Sequence, residues 1–210
     1  MTNLVPGLLV GQTVVSRDCL LDVNNVGYGE GVFDATKAYN GVDTGYETRI
    51  WAGTPLGMIT STKLWVPCKC TRANGAGSSA TALIVDDARA FKVGDVISVG
   101  STTNVTVTAI DYATNTLTIA SNSWSDEDYV IVADGSQVCR GILNQQIDLW
   151  DKVTRKAQNK QFGQMVIRGL VDPNRVYGDI AAIRAATSTN AMQIPGITFG
   201  DTAGQYGPVN

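Results

Sequence analysis

The run RIWAGTPLGMITSTKLWVPCKC, from Arg49 to Cys70, decides how this chain is read. It holds strand-length pieces, "RIWAG", "LGMIT" and "KLWVPCKC", set apart by Gly-Thr-Pro and Ser-Thr-Lys. It ends on Cys68 and Cys70, which are either part of a metal or redox site or small hydrophobes on a strand. On a strand, residues two apart share a face with Cα atoms about 6.5–7 Å apart, at or beyond disulfide reach. Cys19 and Cys139 stand alone, and no C-x2-C or C-x4-C knuckle occurs. No secretory leader pattern precedes them, so a reducing compartment is expected. The reading adopted is reduced, structural cysteines, with tetrahedral zinc and a disulfide as the alternatives.

Outward from this run the chain changes character twice. Residues 1–48 read as an extended N-terminal arm, because glycines at 7, 11, 27, 29, 31, 41 and 45 leave no helical period. Its short apolar pieces, Leu8, Leu9, Val10 and Val14, Val15, are suited to pairing as added strands. Such an arm is costly to order alone and is expected to be held by the body or by a partner. Residues 75–135 read as a self-contained β module, with "AFKVGDVISVG", "VTVTAI", "TLTIA" and "DYVIVADG" as strands and "DYATN" as a hairpin loop. Residues 49–74 and 136–203 are left as a β body, with 204–210 as a tail. "QVCRGIL" is read as a strand and "FGQMVIRGLVD" as another, with Met165, Ile167 and Val171 on one face. One helix is expected from Asp172, with Pro173 at its first position and Val176, Ile180 and Ile183 as its apolar stripe. The fold class is therefore mainly β with one short helix, the module resembling a small SH3-like barrel.

Composition narrows the function. The chain has 210 residues, 44% of them hydrophobic, and a net charge of −3. Neutralising phosphates needs an excess of Lys and Arg, so neither nucleic acid nor an anionic membrane is expected as partner. No apolar run approaches the roughly 18 residues of a membrane span. There is no histidine, which removes Ser-His-Asp and Cys-His catalysis. "VDD" at 85–87 and "DEDY" at 126–129 lack the spaced pattern of a calcium loop and are read as solvated carboxylates. "GYGEG" at 27–31 lacks the strand and helix of a dinucleotide site. A carboxylate-based hydrolase would need an acid/base pair that the sequence does not display. "KVTRKAQNK" at 152–160 is a basic cluster, either a solvated loop or a docking patch for an acidic surface. Trp51, Trp65 and Trp150 are read as core, while Trp124, inside "SNSWSDED", is a candidate exposed contact residue. No catalytic, metal, cofactor or small-molecule site is expected.

Four separated stretches carry a resemblance. "WAGTPLGMITSTKLWVP", "GILNQQIDLWD", "QMVIRGLVD" and "IPGITFGD" follow the order seen in the lambda-type bacteriophage head decoration proteins. The matching positions are Gly53, Leu56, Gly57 and Ile59; Gly141, Ile142, Leu143, Ile147 and Asp148; Val166, Gly169 and Val171; Gly196, Ile197 and Phe199. They cover roughly 49–70 and 138–201, and the module and the longer arm depart from the family pattern. The resemblance implies a non-enzymatic virion protein, made in the host cytoplasm, that trimerises on the outer capsid surface. It implies the major capsid protein as partner, engaged by strand addition from the arm at Leu8, Leu9, Val10, Val14 and Val15. The alternative is a phage tail or fibre adhesin in which the module and Trp124 contact a host-surface ligand.

Overall fold

The computed structural model describes residues 19–20, 26–34, 49–148, 150–151, 156–157, 160–184 and 196–199. The chain is mainly β. The body begins with β1 (Gly27–Asp34), β2 (Arg49–Ile50), β3 (Pro55–Met58) and β4 (Trp65–Pro67). The module adds β5 (Cys70–Arg72), β6 (Gly77–Ile84), β7 (Val96–Val99), β8 (Thr102–Thr106), β9 (Ala109–Asp111), β10 (Thr116–Trp124) and β11 (Tyr129–Ile131). The chain returns through β12 (Gly141–Leu143), β13 (Ile147–Asp148), β14 (Trp150–Asp151), β15 (Lys156–Ala157), β16 (Lys160–Val171) and β17 (Gly196–Phe199). A 3-10 turn (Pro173–Arg175) and a short helix α1 (Ile180–Arg184) lie between β16 and β17.

The body sheet closes on itself. Its order is β1-β4-β3-β12-β16-β17, and β1 also pairs with β16, so five strands form a ring and β17 extends β16. The closing contact is a parallel pair, Phe33 with Trp65. Phe33, Ile50, Leu56, Leu143, Ile147 and Met165 fill the interior, with Trp65 packed against them. Glycines permit the closure. A Cβ on Gly31 would fall 2.3 Å from the Trp65 ring, and one on Gly163 2.2 Å from Ile147. Closure pairs each of the five ring strands with two neighbours, which leaves β17 as the edge of the sheet.

Several sequence expectations are corrected here. The stretch read as arm contributes β1, held by the body, as one of the two expectations allowed, and paired with β16 from Gly27↔Arg168 to Asp34↔Lys160 with one register shift after Gly27. Its glycines mark close approach to neighbouring strands, and only Phe33 of its alternating residues needed to be apolar. The module starts at β5 rather than at residue 75, because β5 pairs with β11. "VTVTAI" is not one strand. β8 pairs with β7 while β9 pairs with β10, and the chain crosses between the two sheets at Val107 and Thr108. The predicted helix is split. Asp172 caps only the 3-10 turn, and Gly178, at φ +96°, interrupts the chain before α1. In "QVCRGIL" only Gly141–Leu143 is strand; Gln137 ends a turn and Cys139 and Arg140 are irregular. Met165 and Val171 are buried as expected, but Ile167 is 39% exposed.

The module wraps two sheets, β6-β10-β9 and β5-β11-β7-β8, around one core. Leu83, Phe91, Ile97, Val99, Leu117, Ile119 and Val130 are at its centre. Its two connections to the body run side by side, with Val132 N–H donating to the Lys69 carbonyl at 3.2 Å and Lys69 N–H to the Ser136 carbonyl at 3.1 Å. No helix among the described residues is long and apolar enough to cross a membrane.

Candidate functional site

The residues placed in the capsid-binding arm, Leu8, Leu9, Val10, Val14 and Val15, lie outside the described residues. The chain that follows them is tied to the body. Cys19 is buried, its carbonyl accepts the Asp172 N–H at 2.9 Å, and Leu20 bridges to Val171 on β16. On the outer face of the ring, Val32 of β1 stands opposite Phe162 of β16. Phe162 is 59% exposed and Tyr28 47%. This is the most exposed aromatic surface among the described residues, of the kind that marks interaction faces.

Charged chemistry gathers where body and module meet. Arg72 on β5 reaches three carboxylates: its Nε donates to Asp179 at 2.9 Å, one terminal nitrogen to Asp86 at 2.9 Å and the other to Glu127. Asp179 also caps α1 by accepting the Ala182 N–H at 3.0 Å. A single guanidinium thus joins the module's loops to the body's helix, using the fork geometry peculiar to Arg. Burial, and then the Asp179 charge, push the Asp86 carboxyl above its ordinary value. Beside it Arg89 is paired with Asp87 and lies 4.9 Å from the centre of the Tyr177 ring. A small cavity of about 30 Å³ sits between these groups, Pro55 and Cys68.

The junction is sealed by cysteines. Cys68, Cys70 and Cys139 pack with Ile131, Ala182 and Ile183. All four cysteines are buried. The Cys68 thiol donates to the Gln137 carbonyl at 3.4 Å. Its contact with the Cys139 thiol, together with burial, holds its pKa well above the ordinary value. Among the described residues no group of three or more Cys, Asp or Glu is arranged to hold a metal ion.

Between the two cysteines, Lys69 turns to the other face and enters the module. Its Nζ is paired with Asp95, and the side chains are 1% and 9% exposed. Asp95 is fixed by the turn Lys92–Asp95: its Oδ2 accepts the Lys92 N–H at 2.8 Å, and its own N–H donates to the Lys92 carbonyl at 3.0 Å. Nearby, Tyr112 donates to the Phe91 carbonyl at 3.0 Å. Burial and the Asp95 charge push its hydroxyl up to about 12.

The remaining candidates take structural roles. Trp124 is buried in the module core and donates its indole N–H to the Gly75 carbonyl at 3.0 Å, which corrects its reading as an exposed contact. Its polar neighbours misled because Ser121 and Ser123 face solvent on β10 and residues 125–128 form the turn after it, while Trp124 itself is buried. In that turn Asp126 accepts the Gly75 N–H at 2.7 Å and Asp128 the Ser125 N–H at 2.8 Å. "GYGEG" is β1, and Lys156–Ala157 of the basic cluster pairs with Trp150–Asp151. The Lys69–Asp95 pair and the Arg72 cluster escaped the sequence reading. The available signal was a lysine flanked by two cysteines inside an apolar strand. No family model, curated protein or solved structure matches the chain.

Proposed function

We propose that this protein is a structural virion component that binds the outer surface of a phage capsid and stabilises the shell. One observation carries the reading: each of the four stretches contributes a strand to consecutive neighbours of one sheet, while Ile147 and Asp148 pair with β2 in a separate two-stranded sheet. Leu56 and Gly57 are on β3, Ile142 and Leu143 on β12, Val166 and Val171 on β16, and Ile197 and Phe199 on β17. Residues 85 or more positions apart in sequence thus form one contiguous body, with the module inserted between β4 and β12. Short motifs gathered by the fold are better support than the same motifs in a list.

In this reading the arm ahead of Cys19 pairs with strands of the major capsid protein, three copies assemble on the shell, and the module projects from the body. Tyr28, Val32 and Phe162 supply the apolar contact between copies. Binding only to the assembled shell stabilises it by mass action. The adhesin alternative loses its contact residue with the burial of Trp124. The test mixes purified protein with empty capsids and measures co-sedimentation and shell melting. Saturable binding in multiples of three with a raised shell melting temperature supports the reading. Absence of binding to capsids, with density on the tail in virion images, favours the adhesin.

A further inference from the structure

We propose that Lys69 and Asp95 condense into an isopeptide bond that staples the module's first connection to the turn ahead of β7. Three features carry the inference. The lysine nitrogen and the carboxylate are in direct contact and both are almost wholly removed from solvent. The turn Lys92–Asp95 fixes Asp95, and backbone hydrogen bonds to Val132 and Ser136 fix Lys69. The Lys92 N–H already donates to Oδ2, placing a hydrogen-bond donor where negative charge develops when an amine adds to Cγ.

Isolating an ion pair from water is costly, and converting it to a neutral amide removes both charges. Fixed contact supplies the effective concentration that the reaction lacks in solution, about 10⁵ M or more for well-oriented groups. The atoms balance without oxidant or co-reactant. The ammonium of Lys69 passes one proton to the carboxylate, leaving an amine and a carboxylic acid. The amine lone pair forms the Nζ–Cγ bond, and Oδ2 carries the developing charge toward the Lys92 N–H. The Cγ–Oδ1 bond breaks, and Oδ1 leaves as water with the acid proton and one amine proton. An open groove of about 440 Å³, lined by Gly94, Asp95, Val96 and Asp134 among others, lies beside the site and receives that water.

Intact-mass measurement of the purified full chain under denaturing conditions tests this, independently of the capsid reading. The expected mass is one water below that calculated from the sequence. Trypsin should fail to cut after Lys69, and fragmentation should show a branched peptide joining the Lys69 and Asp95 segments. Lys69→Arg should restore the calculated mass. Asp95→Asn should give the same cross-linked mass as the unaltered protein, because ammonia then leaves in place of water. Full calculated mass for the unaltered chain, with the two peptides recovered separately, overturns the proposal. So does a water loss traced to a succinimide at Asp134–Gly135.

Discussion

Gly57 has no room for a side chain. A Cβ there would lie 1.9 Å from the Ser136 carbonyl oxygen, a backbone atom that cannot swing aside. Gly57→Ala should destabilise the protein by roughly 2–4 kcal/mol, read as a lower denaturant midpoint at unchanged slope. Arg72→Ala should cost about 2–3 kcal/mol, because Asp179, 3% exposed, would keep a buried charge without its fork. Arg72→Lys should recover only part of this, since an ammonium cannot span three carboxylates. The alkaline limb of stability has a defined sign. The Tyr112 hydroxyl is raised on folding, so its contribution is complete below the unfolded value of about 10 and is lost as pH rises through about 12. The Cys68–Cys139 contact raises one thiol and lowers the other, so the pair sets no net slope. The Tyr112 contribution should be level to about pH 10 and then fall, and Tyr112→Phe should make the alkaline fall of the melting temperature shallower. Little of this was legible beforehand. Lys69, Arg72 and Asp179 are ordinary surface residues in a linear reading. Their partners are 26 and 107 positions away, and only the sheet pairing brings them together.

At the scale of elements, strands defined by local chemistry were readable and strands defined by distant partners were not. "LGMIT", "TLTIA" and "IPGITFGD" alternate or carry β-branched residues, and each overlaps an observed strand. Three of the eight residues of β1 are glycine and it acquires its conformation from β16, so its own composition pointed away from order. The hairpin split at Val107 follows from the module having two sheets: one alternating run serves both. The module holds its own core, and its connections are hydrogen-bonded to each other. Residues 68–134 expressed alone should therefore fold cooperatively but with only a few kcal/mol of stability, since a domain near this size buries only about 60% of its unfolded surface. Urea denaturation checks it; absence of a sigmoidal transition would show that Cys70 and Ile131 need the body to cover them. On the outer face of the ring, Phe162→Ser should change monomer stability by less than about 0.5 kcal/mol while shifting sedimentation from trimer toward monomer.

For the whole molecule, the structure moves the boundary of the arm. Removing residues 1–45 would delete β1 and open the ring, so loss of capsid binding in that truncation would report unfolding. Removing residues 1–16 spares Cys19, Leu20 and β1 while taking Leu8, Leu9, Val10, Val14 and Val15. That truncation should keep its circular dichroism spectrum and lose co-sedimentation with empty capsids. Undiminished binding would show that another surface engages the shell.

The ring closure has a mechanical consequence. A pull on the chain ahead of Cys19 meets the Leu20–Val171 bridge first and β1 after it, and β1 lies antiparallel to β16 from Gly27 to Asp34 with one register shift after Gly27. A force directed along that strand would load its rungs together in shear instead of peeling them one at a time. Survival under such tension is set by the unfolding rate, not by equilibrium stability. The glycine-rich strand that composition alone marked as costly to order would then be an element through which this molecule bears load.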